Sequence, residues 1–310
     1  MGTTYHVKVV AGTSGAVKGL KERIERRLDE INRSMSPYMA ESEISRFNRF
    51  LETGTEFPVS DDFLRVMQTA AQVYVLSEGA WDATVNPLVD LWGFGRSGRR
   101  DRAPSPEAIT ALLAEVGFDA IEIRAHGALV KRRRGVSLDL SSIAKGYGVD
   151  ALAEVLRRSG FTDFLVEIGG ETFAAGKRRD GKPWRVGISR PTPDARIDDL
   201  HAVLTLQDQA LATSGDYRNF FIHEGVRYAH ILDPRNGYPV ANQVVSASVL
   251  APDCTLADGL ATAILVMGKD QGLALLERLP MVEGLIVAQR PDGALENHAS
   301  SGFRAEPARP

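Results

Sequence analysis

A chain of 310 residues, 44 % hydrophobic and 25 % charged, carries enough apolar material for a full core and has an ordinary globular make-up. A formal net charge of -3 leaves no positive excess for general nucleic-acid binding, and no apolar run approaches the length that crosses a bilayer. The single cysteine, Cys254, excludes an intrachain disulfide and reads as a small buried residue.

The chain enters a strand-like alternation, Tyr5 to Val10, without a basic and apolar leader ahead of it. Leu20, Ile24, Leu28, Ile31 and Met35 then draw one apolar stripe on a charged helix, which Pro37 stops, delivering Tyr38 into a loop. Tyr38 reads as an ordinary loop tyrosine or as a ring that stacks on a ligand. Residues 41–48 read as a short amphipathic helix or as polar loop. Ser60 is a good N-cap for a helix through Phe63, Leu64, Met67, Ala71 and Val75, stopped by Gly79. From Gly79 to Gly95, small and polar groups adjoin a proline and then aromatics. This stretch reads as a buried turn capped by Asp82 and Thr84, with ligand binding as the alternative. The basic runs at 99–102 and 131–134 read as solvated loop or strand-edge charges, with phosphate attraction as the alternative. Ser105-Pro106-Glu107 opens a helix with core face Leu112, Leu113 and Val116.

Period-two alternation predicts strands in AIEIR, ALVKR and VSLDL between residues 120 and 140. The last ends on Asp139 and turns through Ser141 and Ser142 into a helix carrying Lys145. A strand feeding a helix N-terminus offers unpaired amides to an anion, although the G-x-x-x-x-G-K-[ST] pattern is absent and an ordinary junction is the alternative. Another strand, Phe164 to Ile168, runs into Gly169-Gly170-Glu171, where paired glycines allow close approach or a plain turn. Strands are expected at 184–188, from His201, at Val244 to Ala251 and at Gly284 to Gln289. His230 stands near a strand end, ahead of tight turns at Asp233-Pro234 and Asn236-Gly237. Pro252 to Gly268 predicts a helix in which Asp258 and Thr262, four residues apart, share a face about 6 Å apart along the axis. A carboxylate and a hydroxyl so placed suit a hard cation such as Mg²⁺; an exposed Asp beside a Thr bonded to its own helix is the alternative. Strands alternate irregularly with helices, so the fold class is α+β. The Ala/Pro/Arg-rich residues 303–310 read as a flexible tail.

Five blocks in order resemble the FAD:protein FMN transferase (ApbE) family: Met1 to Tyr5; Gly79 to Gly95; Asp139-Leu140-Ser141-Ser142-Ile143-Ala144-Lys145-Gly146; Thr213 to Tyr217 with His230 to Pro234; and Ala257-Asp258 to Thr262-Ala263. The resemblance runs from Met1 to about Gly268. It implies one catalytic unit of T-fold-related mixed sheets with packed helices, divisible into two α+β lobes with FAD in a cleft between them. It implies an enzyme that moves FMN from FAD onto a threonine hydroxyl of an acceptor protein, forming a phosphoester and releasing AMP. Family metal positions carry over onto Ser142, Asp258 and Thr262, for Mg²⁺. Where family members place an acid before the metal-binding threonine, this chain has Ala261, one carboxylate fewer. Flavin contacts fall on Met1, Tyr38, Asp82, Ala83, Thr84, Asp139, Lys145 and Leu232. His230 is the expected base for the threonine proton, with Asp233 or Asp216 to orient it or act in its place. The resemblance further implies an acceptor in a membrane electron-transfer complex, and a periplasmic, lipid-anchored protein whose leader lies upstream of Met1. A hydrolase splitting FAD to FMN and AMP, or a non-catalytic FAD carrier, are the rival readings.

Overall fold

The computed structural model describes residues 2–308 except Ser97, Arg99, Asp101, Ile197, Asp198 and Arg218, and only the backbone of Ser14 and Ala16. The expected strand at the start is β1 (Tyr5–Val9), with Tyr5, Val7 and Val9 turned inward. The apolar stripe folds as α1 (Leu20–Met35), burying Leu20, Ile24, Ile31 and Met35. Residues 43–49 are helical: the Ser42 hydroxyl accepts from Ser45 N, and α2 (Glu43–Arg49) buries Ile44 and Phe47. β2 (Glu56–Pro58) leads to α3 (Asp61–Leu76), whose N-cap Ser60 accepts from Phe63 N. α4 (Asn86–Leu91) and α5 (Pro106–Leu113) follow, then β3 (Ile121–Arg124) and β4 (Ala128–Lys131). α6 (Ala144–Arg158) leads to β5 (Phe164–Ile168), β6 (Glu171–Ala175), β7 (Trp184–Ser189), β8 (Leu200–Leu206) and β9 (Gln209–Gly215). The hairpin β10 (Phe220–His223) and β11 (Val226–Ala229) precedes β12 (Val244–Ala251), α7 (Cys254–Met267) and α8 (Lys269–Arg278). β13 (Glu283–Gln289), β14 (Leu295–Ala299) and β15 (Glu306–Pro307) close the chain.

A seven-stranded sheet in the order β1-β5-β6-β9-β12-β13-β14 organises the molecule, antiparallel at every pairing. Its two faces separate by the period of two. Phe164, Val166, Phe173 and Ala210 pack with α1 and α6, whereas Leu165, Ala174, Leu211, Leu250 and Leu285 pack on Trp184, Leu204 and Leu206 of the β15-β8-β7 sheet. Helices cover one face and a small sheet the other, which is the expected α+β arrangement. A separate small cluster joins Leu88 and Trp92 to Ile109, Phe221 and Leu232, with Trp92 Nε1 donating to Gly237 O at 2.8 Å.

Three expectations are corrected. VSLDL makes no ladder: Asn48 brackets Leu138 on both sides, donating to its carbonyl at 2.8 Å and accepting from its amide at 2.7 Å, while Asp139 N donates to Ala83 O. An amide side chain takes the place that a neighbouring strand would fill. Over 303–308 the expected tail is tied down, since Phe303 is buried among Trp184 and Leu285 and β15 pairs with Val203 and Ala202. Lys131, expected in a solvated basic run, is wholly buried beneath Phe47; Arg99 and Asp101 of the other run lie outside the described residues.

Candidate active site

α7 is the floor of a cavity of about 300 Å³, to which it presents Asp258, Thr262 and Val266 at successive turns. The helix is held at its start from two directions. Its own Asp253 caps it by accepting from Leu256 N, and Asp150 of α6 accepts from Cys254 N (2.9 Å), Thr255 N (2.8 Å) and Thr255 Oγ1 (2.5 Å). Asp258 reciprocates across the same crossing, its Oδ2 accepting from Gly146 N at 2.9 Å. A Cβ on Gly146 would stand 2.2 Å from Cys254 O, so only glycine lets the two helices approach this closely.

Lys145 and Ser142 reach the cavity from the junction before and into α6. Lys145 Nζ lies 2.6 Å from Glu171 Oε1 and 3.5 Å from Asp258 Oδ1. Burial works against the ammonium, but the charges of Asp258 and Glu171 prevail and hold its pKa above the ordinary lysine value. Burial, with the neighbouring Asp258 charge, pushes the Glu171 carboxyl up. The Ser142 hydroxyl accepts from Trp81 Nε1 at 2.9 Å. The expectation of unpaired amides at this helix start is corrected in part: Ile143 N and Ala144 N donate to Leu140 O, and Gly146 N is taken by Asp258. Positive charge for an anion therefore comes chiefly from the lysine.

His230 and Leu232 also line the cavity, with Phe94 edge-on to the imidazole at 6.3 Å. His230 Nδ1 stands 3.2 Å from Asn219 O. A carbonyl only accepts, so Nδ1 carries the hydrogen and Nε2 keeps the lone pair. Burial pushes the imidazole pKa below its ordinary 6.5, which leaves the ring neutral near pH 7.

The expected metal positions Ser142, Asp258 and Thr262 thus meet in one cavity, Thr262 Oγ1 pairing with Ser214 Oγ at 2.8 Å. Carboxylate and hydroxyl oxygens are the donor set of a hard cation. Among the described residues there is no cluster of three or more His, Cys, Asp or Glu side chains of metal-holding geometry, so the hydroxyls are essential to this set. Of the expected flavin contacts, Asp82, Asp139, Lys145 and Leu232 line this cavity. Tyr38, 76 % exposed, lines a second cavity of about 220 Å³ that shares Phe94, Asp139, Ser141 and Lys145 with the first. Ala83 and Thr84 are buried behind the wall and line neither. Asp82 is spent as a turn cap, accepting from Thr84 N, Thr84 Oγ1 and Phe118 N. Met1 lies outside the described residues. Asp233 is not among the lining residues; it accepts from Arg235 N, Nε and an Nη, which holds its carboxylate in a turn by an ion pair. Asp216 is likewise paired with Arg227 at 2.8 Å.

Sequence reasoning passed over Trp81, Glu171 and Ser214 as site groups. Glu171 had a local signal, an acid directly after two glycines at a strand end; Trp81 and Ser214 had none, because their partners are 61 and 48 residues away.

Oxygen donors, an ammonium and a neutral imidazole around one cavity, on this α+β frame, are groups suited to an enzyme of group transfer at a phosphate centre. The comparisons narrow the class. The family model described as "ApbE family" matches residues 1–286, and the chain belongs to that family. A Vibrio cholerae protein named FAD:protein FMN transferase is 44 % identical over 308 residues, covering 98 % of this chain and 90 % of that protein. The solved structure of the Vibrio cholerae flavin transferase ApbE superposes with a TM-score of 0.88 at 42 % identity, covering 98 % of this chain and 95 % of that one. The apo Pseudomonas stutzeri flavinyl transferase ApbE gives 0.86 at 35 % identity, covering 97 % and 92 %.

Proposed function

We propose that this protein carries FMN from FAD to a threonine hydroxyl of an acceptor protein, with AMP as the leaving group and Mg²⁺ held by Ser142, Asp258 and Thr262. The observation that carries the reading is the arrangement of His230, whose Nδ1 hydrogen is committed to Asn219 O while its ring lines the same cavity as Asp258 and Lys145. Nε2 takes the proton from the acceptor hydroxyl. The freed oxygen bonds to the phosphorus on the FMN side of the pyrophosphate, and the bond from that phosphorus to the bridging oxygen breaks, the oxygen leaving with AMP. Lys145 balances negative charge on the phosphates. Mg²⁺, when bound, supplies further neutralisation of the pyrophosphate. Phe94, Asp139 and Lys145 join the two cavities into one elongated space that suits a dinucleotide, with the exposed Tyr38 ring at the far end available for stacking. An acceptor from a membrane electron-transfer complex and a periplasmic, lipid-anchored location belong to the same proposal, resting on resemblance to the family alone; cell fractionation tests the location.

The purified protein is incubated with FAD and Mg²⁺, with and without a threonine-containing acceptor domain, while AMP and flavin fluorescence on a denaturing gel are followed. Fluorescent acceptor with wild type, and none with a His230→Ala variant that still binds FAD, is expected. AMP released at the same rate without acceptor, and no fluorescent band with it, would identify a hydrolase.

A further inference from the structure

Glu171 opens β6 directly after the Gly169-Gly170 turn, and its side chain, 2 % exposed, lines the same cavity as Asp258. Its Oε1 is engaged by Lys145 at 2.6 Å. Its Oε2 is buried and has no hydrogen-bond partner among the described residues. A buried carboxylate oxygen without a donor is costly, so it marks a place where a ligand completes the shell. The charge count points the same way. One ammonium, Lys145, faces two acids, Glu171 and Asp258, so with both ionised one negative charge has no counter-charge among these three side chains. α7 cannot supply a second acid itself: Asp258 is its single carboxylate, and the residue before Thr262 is the wholly buried Ala261.

We propose that Glu171 supplies the second carboxylate of the divalent-cation site, with the Lys145 ammonium standing between Glu171 and Asp258 as an internal counter-ion that the cation displaces. The inference rests on the reading that the cavity takes Mg²⁺ at Asp258. A dication brings two positive charges where one stood, satisfies Oε2 and repels the ammonium. The flexible lysine stem then carries its charge toward phosphate oxygens in the same cavity.

The test titrates Mn²⁺ into the FAD-free protein and reads free Mn²⁺ by electron paramagnetic resonance, so that turnover plays no part. Glu171→Gln is expected to weaken Mn²⁺ binding roughly tenfold or more, and Lys145→Met to tighten it by removing the competing charge. In the Lys145→Met background, Glu171→Gln still weakens binding if its carboxylate touches the cation. An effect of Glu171→Gln that vanishes in that background would make Glu171 a holder of Lys145 alone and overturn the inference. Wild-type affinity in Glu171→Gln, with binding abolished in Asp258→Asn, would overturn it while leaving the cation reading intact. A wild-type protein that binds no Mn²⁺ would overturn both.

Discussion

Replacing Lys131 with methionine should stabilise the protein, which is unusual for a change that removes a charge. Lys131 ends β4 with its side chain wholly buried, and Nζ has no hydrogen-bond partner among the described residues. The Phe47 ring, 4.5 Å from Nζ to its centroid, is the compensation in view. Burial pushes the ammonium pKa from 10.5 down to about 8, so the folded state disfavours the charge by roughly 3 kcal/mol. The cation–π contact returns about 1 kcal/mol, and methionine keeps most of the stem's volume, so the net gain is on the order of 2 kcal/mol at pH 7. The pH dependence has a definite sign. Below pH 8 the lysine is charged in both states and the full penalty applies. Between about 8 and 10.5 the folded protein sheds the proton while the unfolded chain keeps it, so the penalty shrinks as pH rises. Urea unfolding of wild type and Lys131→Met at pH 7 and pH 9.5 measures the difference. A variant less stable than wild type at pH 7, or a gap unchanged at pH 9.5, would refute the reasoning.

Gly146→Ala forces a Cβ to within 2.2 Å of the Cys254 backbone carbonyl, and a cost of about 3 kcal/mol is expected by chemical denaturation. Asp233→Asn weakens a pair with a partly exposed arginine and should leave kcat within about twofold of wild type, such a pair being worth roughly 1 kcal/mol or less; a collapse of transfer would return Asp233 to the chemistry. Because burial holds His230 below 6.5, kcat/KM for transfer should fall with acidification through a midpoint below that value and stay flat from pH 7 to 8. A midpoint at or above 6.5 would contradict the assignment. Cutting the chain after Gly302 removes buried Phe303 and the β15 pairing, and a loss on the order of 3 kcal/mol is expected in a thermal melt.

Helices with local signals were legible in the sequence. Ser60 and Ser105 cap where their hydroxyls predict, and the α1 stripe survives at four of its five positions as fully buried residues. β9 escaped because QALATSG does not alternate: Ala210, Leu211 and Ala212 are all buried, the strand lying between β6 and β12 with a layer on each face. VSLDL alternates and yet pairs with no strand, because the competing partner is the side chain of Asn48, 90 residues away. The site divides along the same line. Asp258 and Thr262 are one helical turn apart and could be read locally. The turn cap at Asp82 could be read locally too, since Thr84 N donates to it from two residues on, but the second donor could not, because Phe118 N lies 36 residues on.

The bracing of α6 against α7 and the separateness of the Trp92 cluster mean that different packing contacts hold different parts of the cavity wall. Asp258, Thr262 and Lys145 stand on two helices pinned by Asp150 and by the Gly146 crossing. His230 follows a two-stranded hairpin, and its neighbours Phe94 and Leu232 pack into a small cluster of their own. Under the proposed function, charge neutralisation and proton removal therefore depend on different packing contacts. Lesions in the Trp92 cluster should then slow turnover while sparing ligand retention, a separation that a one-piece site would not permit.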